Sequence, residues 1–168
     1  RAWKLMSESS LIDRERLRRI KYDTAYERTG YLARMFNEMA ALDLSDAPDL
    51  AKARDLLLTW DFTADNVGSA DAIALLTVRD FMSAEYQNNP WPDAREELAE
   101  AADHLMTHFG RLDPPMGELL RLRQGPGPYA ADLPLDGGSD TLRASTTWDV
   151  ADDGRLAVRH GDSFIQFV

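Results

Sequence analysis

Two histidines, His104 and His108, are four residues apart in a stretch whose apolar pattern predicts a helix. That spacing can present two imidazoles to one metal ion. In a metalloprotease helix, however, a glutamate directly follows the first histidine, and here Leu105 occupies that position. Glu100 and Asp103 are nearby as further oxygen ligands, yet acidic helices with paired histidines are common. We therefore interpret the pair as part of a solvated face and keep a metal site as the alternative.

The other polar groups make weaker catalytic patterns. Ser163 follows Gly161-Asp162, but no glycine comes after it and no predicted helix follows, as a nucleophile elbow requires. It is interpreted as a turn residue that enters a strand. Four aspartates lack the spacing and the mid-loop glycine of a calcium loop and are interpreted as helix caps and solvated positions; they are Asp61, Asp65, Asp71 and Asp80. We predict no catalytic, cofactor-binding or metal-binding residue within this sequence.

Aromatic residues and a double glycine offer possible ligand contacts. Trp60 and Trp91 lie at the ends of predicted helices, where core packing is favoured over the lining of a ligand pocket. The backbone amides of Gly137-Gly138 could bind an anion. This pair precedes a predicted strand, however, whereas a phosphate-binding loop opens a helix. A tight turn that lets backbone approach backbone is therefore the favoured interpretation.

Charge and composition exclude several classes of function. The net charge is −10, from 29 acidic and 19 basic residues, and no basic stripe could neutralise a phosphate backbone. The densest basic run, at residues 14–21, alternates with acidic residues and predicts a solvated face rather than a nucleic-acid contact. The absence of cysteine excludes disulfides and thiol catalysis. No apolar run reaches the roughly 20 residues of a membrane span, so a membrane is not expected as a partner. The charge pattern likewise gives no reason to expect nucleic acid as a partner.

Helical periodicity dominates the first two thirds of the sequence. Apolar spacing predicts three helices between Asp13 and Asp61, with Pro48 in the first turn of the third and Asp46 as its cap. After a loop, a fourth helix is capped near Gly68, Ser69 or Asp71 and continues to about Tyr86. A fifth runs from about Asp93, its cap, to Phe109.

From Gly110 onwards the sequence is rich in glycine, proline and aspartate, which predicts extended connections and turns. The predicted elements are a short helical turn at Gly117 to Leu122, strands at Thr141 to Trp148, Leu156 to Arg159 and Ser163 to Val168, and a hairpin turn at Asp152-Asp153-Gly154. The predicted fold class is mainly α. A helical domain of about five helices at residues 1–122 precedes, at 123–168, an extended connection and a small antiparallel β tail.

Several short motifs occur in a characteristic order. They are Leu56-Leu57-Leu58-Thr59-Trp60-Asp61, the small-residue run 68–74, Gly110-Arg111-Leu112-Asp113, Arg121-Leu122-Arg123-Gln124-Gly125, and the segment 133–144 with its Leu-Pro-Leu-Asp-Gly-Gly core. This order resembles the penicillin acylase family, with its branch of acyl-homoserine lactone and aculeacin-type acylases as the nearest match. These proteins are N-terminal nucleophile amidohydrolases, in which the free amine of a terminal serine acts as the base for its own hydroxyl.

The resemblance implies hydrolysis of the amide bond of an N-acyl compound by a self-cleaving precursor with an αββα sandwich, located in the periplasm or secreted. The first residue is Arg1, so the nucleophilic serine, the oxyanion donors and the orienting arginine are expected upstream of the matching region. The last predicted strand ends without a turn residue. Like the start at Arg1, we interpret this as a sign that the sequence is truncated. We therefore expect a piece of the large subunit, inactive alone, that supports the catalytic sandwich and has the rest of the precursor as its partner. The competing interpretation is a non-catalytic helical module that binds a partner protein through an apolar face.

Overall fold

The computed structural model describes residues 1–125 and 130–161, which contain seven helices and four strands. The helices are α1 (Ala2–Ser7), α2 (Arg14–Lys21), α3 (Tyr31–Ala41), α4 (Pro48–Leu57), α5 (Asp71–Gln87), α6 (Ala94–Phe109) and α7 (Met116–Leu119). The strands are β1 (Leu120–Gln124), β2 (Ala131–Pro134), β3 (Ser145–Val150) and β4 (Leu156–Gly161). Within these ranges, no helix combines the length and the apolar character needed to cross a membrane.

Helix α5 is the centre of the helical body. Its first half is buried on almost every side, with Ala72, Ile73 and Ala74 fully inaccessible and Leu75 nearly so. A helix that is apolar all round belongs in a core, and the small alanines allow neighbouring helices to approach closely. Helices α3, α4, α6 and α7 all contact α5. The hydrophobic core therefore lies around this one helix.

The predicted helices α2 to α6 are confirmed, and α6 has the predicted cap. The carboxylate of Asp93 accepts hydrogen bonds from the backbone N–H groups of Arg95 at 2.8 Å and Glu96 at 3.0 Å. The predicted cap of α4 is wrong, because Ala47 occupies the N-cap position and makes no side-chain bond. Asp46 instead binds the guanidinium of Arg95 at 2.8 Å. Helix α1 was not predicted, since a single six-residue turn offers too little periodicity.

The prediction of a mainly α protein with a small antiparallel tail is wrong, because the chain forms an α/β fold with a four-stranded mixed sheet. The strand order is β2-β1-β4-β3. Strand β1 pairs antiparallel with β2 but parallel with β4, where Leu120 lies opposite Leu156. The predicted helical turn at Gly117 to Leu122 ends at Leu119, and the central strand β1 begins at the next residue.

The predicted hairpin is confirmed, since β3 and β4 pair antiparallel around the turn at 152–154. The predicted domain boundary between residues 122 and 123 falls inside β1. The third predicted strand, Ser163 to Val168, lies outside the described residues, as does the serine at its start.

The two faces of the sheet have opposite chemical character. On one face Leu120 and Leu156 are fully buried against the helical body. Farther along this face, Leu122 and Leu133 are 41% and 53% exposed. Side chains on the other face form ion pairs, such as Arg123 Nη2 to Asp153 Oδ2 at 2.6 Å. Because successive side chains of a strand alternate between faces, the sheet has one charged face and one apolar face that the helices cover only in part.

Candidate functional site

A cleft of about 130 Å³ lies between α5, α6 and the β3–β4 hairpin. Its floor is apolar and its rim is charged, and the residues that line it are Leu76, Arg79, Asp80, Glu97, Glu100, Ala101, His104, Trp148, Val150 and Leu156. A concave site with a few convergent polar groups is the usual form of a ligand site. This α5–α6 cleft therefore brings His104 and Asp80, two residues singled out from the sequence, into one place.

The carboxylate of Glu97 dominates the electrostatics of the cleft. Burial raises the pKa of Glu97 to about 7, and the negative charges of Asp80 and Glu100 add to this effect. The guanidinium of Arg79 offsets only part of it, because Arg79 Nε and Nη2 bind the carboxylate of Asp80 at 2.8 and 3.1 Å. Glu97 forms no hydrogen bond or ion pair with the described residues. It is thus an acid that gains or loses its proton near neutral pH.

His104 and His108 both contact Gly154 in the turn between β3 and β4 and do not converge on a common ligand. His104 Nε2 lies 2.8 Å from the carbonyl oxygen of Gly154 and must carry the proton, because a carbonyl only accepts. The ring of His108 packs on Gly154, where an added Cβ would lie 2.1 Å from the ring. The described ranges contain no group of three or more His, Asp or Glu residues placed to hold a metal ion. His104 is half-buried, so the solvated-face interpretation fits only the exposed His108.

The indole of Trp148 closes the cleft on the sheet side. Its Nε1 is buried and has no hydrogen-bond partner within residues 1–125 and 130–161. Sequence analysis did not single out Trp148 or Glu97 as candidate site residues. The available signal is the alternation of Trp148 with Val150 on β3, which places both on the helix-facing side of the sheet. Only the pairing of β3 with β4 brings that side against α6.

One hydroxyl–imidazole pair occurs on the sheet surface. Thr147 Oγ1 and His160 Nδ1 are 2.6 Å apart across β3 and β4, and both residues are exposed. A nucleophilic hydroxyl needs a base that a third group orients. Among the described residues, His160 forms hydrogen bonds with Thr146 and Thr147, and neither of these orients its ring from the other nitrogen. The pair is a cross-strand contact.

Several of the short sequence motifs meet at a second region, here called the junction: residues 61–71 and 135–141 with Tyr26. The backbone N–H of Gly137 donates to the carbonyl of Ala64 at 2.7 Å, and Asn66 Nδ2 donates to the carbonyl of Leu135 at 3.0 Å. The hydroxyl of Tyr26 accepts from the backbone N–H of Ser139 at 3.1 Å. These bonds join the loop before α5 to the loop between β2 and β3.

The double glycine in the junction is a close backbone approach, as predicted. Gly137 has a φ of 84°, and a Cβ there would lie 2.0 Å from the carbonyl oxygen of Arg143. A Cβ on Gly138 would lie 1.9 Å from the hydroxyl of Tyr26. No other residue type fits either position without movement of its neighbours.

The aspartates in the junction shape turns and do not form a calcium loop. Asp61 and Asp65 each accept the backbone N–H two residues ahead, both at 2.9 Å. Asp71 is 1% exposed, and its Oδ2 accepts from the N–H of Gly68 at 3.2 Å. Burial, reinforced by the charge of Asp65, raises the pKa of Asp71 to about 7. Asp80 lies apart from them, in the cleft.

Both candidate tryptophans are structural. Trp60 is buried with Phe36 and Phe62, and its Nε1 donates to the carbonyl of Thr63 at 2.6 Å. Trp91 is half-buried between the edge of Phe81 and the guanidinium of Arg34, which lies 3.7 Å from its ring centre. The prediction of core packing is confirmed for Trp60, and Trp91 packs at the border of the core.

Known proteins add no further information on these two regions, because no protein-family model matches the sequence and no curated protein is similar to it.

Proposed function

We propose that this chain is a supporting segment of an amidohydrolase that cleaves the amide bond of N-acyl compounds, similar to the penicillin acylases. In this proposal the chain is not catalytic alone. Its partners are the remaining parts of the same precursor, which carry the nucleophile and bind the N-acyl substrate. The parent enzyme acts in the periplasm or is secreted.

The observation that carries the proposal is the convergence of the motifs on which the resemblance rests. The 56–61 and 68–74 motifs flank the loop that the 133–144 segment binds through Gly137 and Leu135. Motifs that are far apart in sequence but bonded in space are expected of a unit that holds two parts of an enzyme in a fixed arrangement. At both glycines of the segment a side chain would clash with a neighbouring residue. The motifs are therefore explained by the packing of the two loops against each other.

The partly covered face of the sheet supports the assignment of a partner. Leu122, Leu135 and Val158 line a groove of about 240 Å³ at the end of the sheet that the helices leave open. Leu133, opposite Leu122, is exposed beside it. Apolar sheet faces are normally buried against another layer. We infer that the rest of the precursor supplies this layer.

The first test is the natural gene product expressed whole, with intact-mass and N-terminal analysis and a hydrolysis assay on a panel of N-acyl amines. We expect a new N-terminal serine and amide hydrolysis. An unprocessed and inactive product would overturn the proposal and leave the helical protein-binding module.

A second test separates support from catalysis. Leu122→Ser with Leu133→Ser should leave the unfolding midpoint of the chain alone unchanged, because both side chains are already exposed. In the whole enzyme the same pair should lower the yield of processed protein several-fold, without changing KM for the enzyme that matures. The matched control is Leu58→Ser with Met106→Ser, which are exposed on the helical body. Equal effects of the two pairs would contradict a supporting role for the open end of the sheet.

A further inference from the structure

The first 22 residues, here called the arm, have a charge opposite to that of the remaining chain. Seven arginines and lysines and three acidic residues give the arm a net charge of +4, whereas the remainder, with twelve basic and twenty-six acidic residues, has −14. Such asymmetry within one chain creates strong attraction between unlike parts of two molecules.

The arm also exposes most of its apolar side chains. Neither α1 nor α2 contains a buried residue. Trp3 is 84% and Leu11 72% exposed, and Met6, Leu17 and Tyr22 are exposed as well. The arm is fixed to the body at its base, where Arg1 binds both carboxylate oxygens of Asp23 at 3.0 and 2.8 Å. Several large apolar side chains exposed on one short segment are typical of a site of interaction.

Three cations of the arm have no ion-pair partner in the described part of the chain. Arg14, Arg18 and Arg19 are exposed and form no ion pair with the described residues. By contrast, Arg16 in the same helix lies 3.8 Å from Glu8 and donates to the carbonyl of Leu5. The outward face of α2 is therefore both basic and unpaired.

The complementary surface lies on α6 and at the α5–α6 cleft. Glu96, Glu100 and Asp103 are exposed on α6 and, like Glu97, form no ion pair within the described part of the chain. Beside them Val150 is 57% exposed, and the Nε1 of Trp148 has no acceptor among the described residues. This surface offers negative charge opposite in sign to the arm, next to apolar area against which the exposed apolar side chains of the arm can pack.

We propose that two copies of this chain associate reciprocally, with the arm of each copy lying against the α6 face and the cleft of the other. A reciprocal arrangement uses both complementary surfaces of both copies and closes on itself, so it gives a dimer and not a chain of copies. Charge complementarity selects a second copy over an anionic lipid surface, because the −14 of the body would be repelled by such a surface. This inference does not depend on the proposed function.

The dimer should be salt-dependent, because exposed ion pairs are screened as ionic strength rises. Sedimentation equilibrium of the whole chain should therefore show dimer at about 0.05 M salt and mainly monomer at about 0.5 M salt. A monomer at every protein concentration and low salt would overturn the proposal, as would binding of anionic vesicles by a chain that remains monomeric.

Charge reversal on the arm supplies the specific test. Arg18→Glu with Arg19→Glu should weaken dimerisation at least tenfold, and Glu100→Lys with Asp103→Lys should do the same, since all four residues are exposed. The control is Lys52→Glu with Arg111→Glu, which changes the net charge as the arm pair does but lies on neither surface. Control and arm variants with equal dissociation constants would overturn the proposal.

Mixing the two reversed variants gives the most direct outcome. The acidic arm of one then meets the basic α6 of the other, and the basic arm of the second meets the acidic α6 of the first. We expect each variant alone to be monomeric and the mixture to form a one-to-one dimer at low salt. Two folded variants that stay monomeric when mixed would overturn the reciprocal arrangement.

Discussion

The junction and the α5–α6 cleft are both polar regions next to α5, but they differ in what satisfies their polar groups. In the junction, the backbone N–H groups of Gly137 and Ser139 and the side-chain amide of Asn66 all have partners within the chain. In the cleft, the carboxylate of Glu97 and the indole N–H of Trp148 have none among the described residues. Satisfied polar networks fix a structure, whereas unsatisfied groups at a surface are available to an external partner. The junction thus fixes two loops relative to each other, whereas the cleft has polar groups available to an external partner.

The strongest test of this comparison is Gly137→Ala in the junction. The positive φ of Gly137 and the contact of 2.0 Å between a Cβ and a backbone oxygen both oppose a side chain there. We expect a loss of about 2 to 4 kcal/mol in the free energy of unfolding, measured by urea titration. Gly125→Ala is the control, because that position has open space around it. Equal stability of the two variants would show that the junction is not a rigid connection.

Two side-chain atoms are exceptions within the junction, since Asp71 Oδ1 and Ser139 Oγ are buried without a partner among the described residues. Of the two, only Asp71 is an acid. The pKa of Asp71 is raised from 3.8 to about 7, so the folded state binds this proton more tightly than the unfolded state does. The stabilising contribution is complete below about pH 4 and is lost as the pH rises to about 7.

Asp71→Asn removes this titration, because an amide stays neutral and can still accept from the N–H of Gly68. We expect the free energy of unfolding to fall less between pH 4 and pH 8 in the variant than in the parent, by about 1 to 3 kcal/mol. Urea titrations at both pH values measure this difference. Asp152→Asn serves as a control, since Asp152 is exposed and lies in the hairpin turn outside the junction. Parallel pH profiles of parent and Asp71→Asn would contradict the raised pKa.

The hydroxyl of Tyr26 tests the polar part of the junction at smaller amplitude. Tyr26→Phe removes the acceptor of the Ser139 N–H and should cost about 1 to 2 kcal/mol of unfolding free energy. Tyr86→Phe is the matched control, because Tyr86 is 64% exposed and its only described hydroxyl contact, to Asp140, is 3.4 Å long. The midpoint of thermal unfolding should therefore be clearly lower for Tyr26→Phe than for Tyr86→Phe. Equal midpoints would show that the hydroxyl of Tyr26 does not stabilise the junction.

Local pattern predicted the helices of this chain well and its sheet poorly, for a physical reason. Helices α2 to α6 follow from apolar spacing within each segment, and the cap of α6 from Asp93 alone. Strand β1 starts directly after α7 and pairs with β4, which is more than thirty residues later. The hydrophobic periodicity within the segment therefore does not identify the strand. The close approach at Gly137-Gly138 was predictable because glycine is specific for such geometry. The cleft was not, because α6 and β3 meet only through the sheet.

The smallest expected effect concerns the cleft and sharpens its contrast with the junction. Glu97→Gln removes a half-buried charge whose pKa is raised to about 7 by burial and by neighbouring acidic groups. As for Asp71, a raised pKa means that the folded state binds the proton of Glu97 more tightly than the unfolded state does. The parent therefore loses stability as Glu97 ionises, and above about pH 7 the variant should be more stable than the parent. The partial exposure of Glu97 limits this gain to under about 1 kcal/mol. The measurement is the unfolding free energy at pH 5 and pH 8. Glu85→Gln is the control, because Glu85 is exposed and is not one of the acidic groups that act on Glu97. A loss of stability at pH 8 would mean that the carboxylate has a partner inside the chain, and the cleft would then resemble the junction.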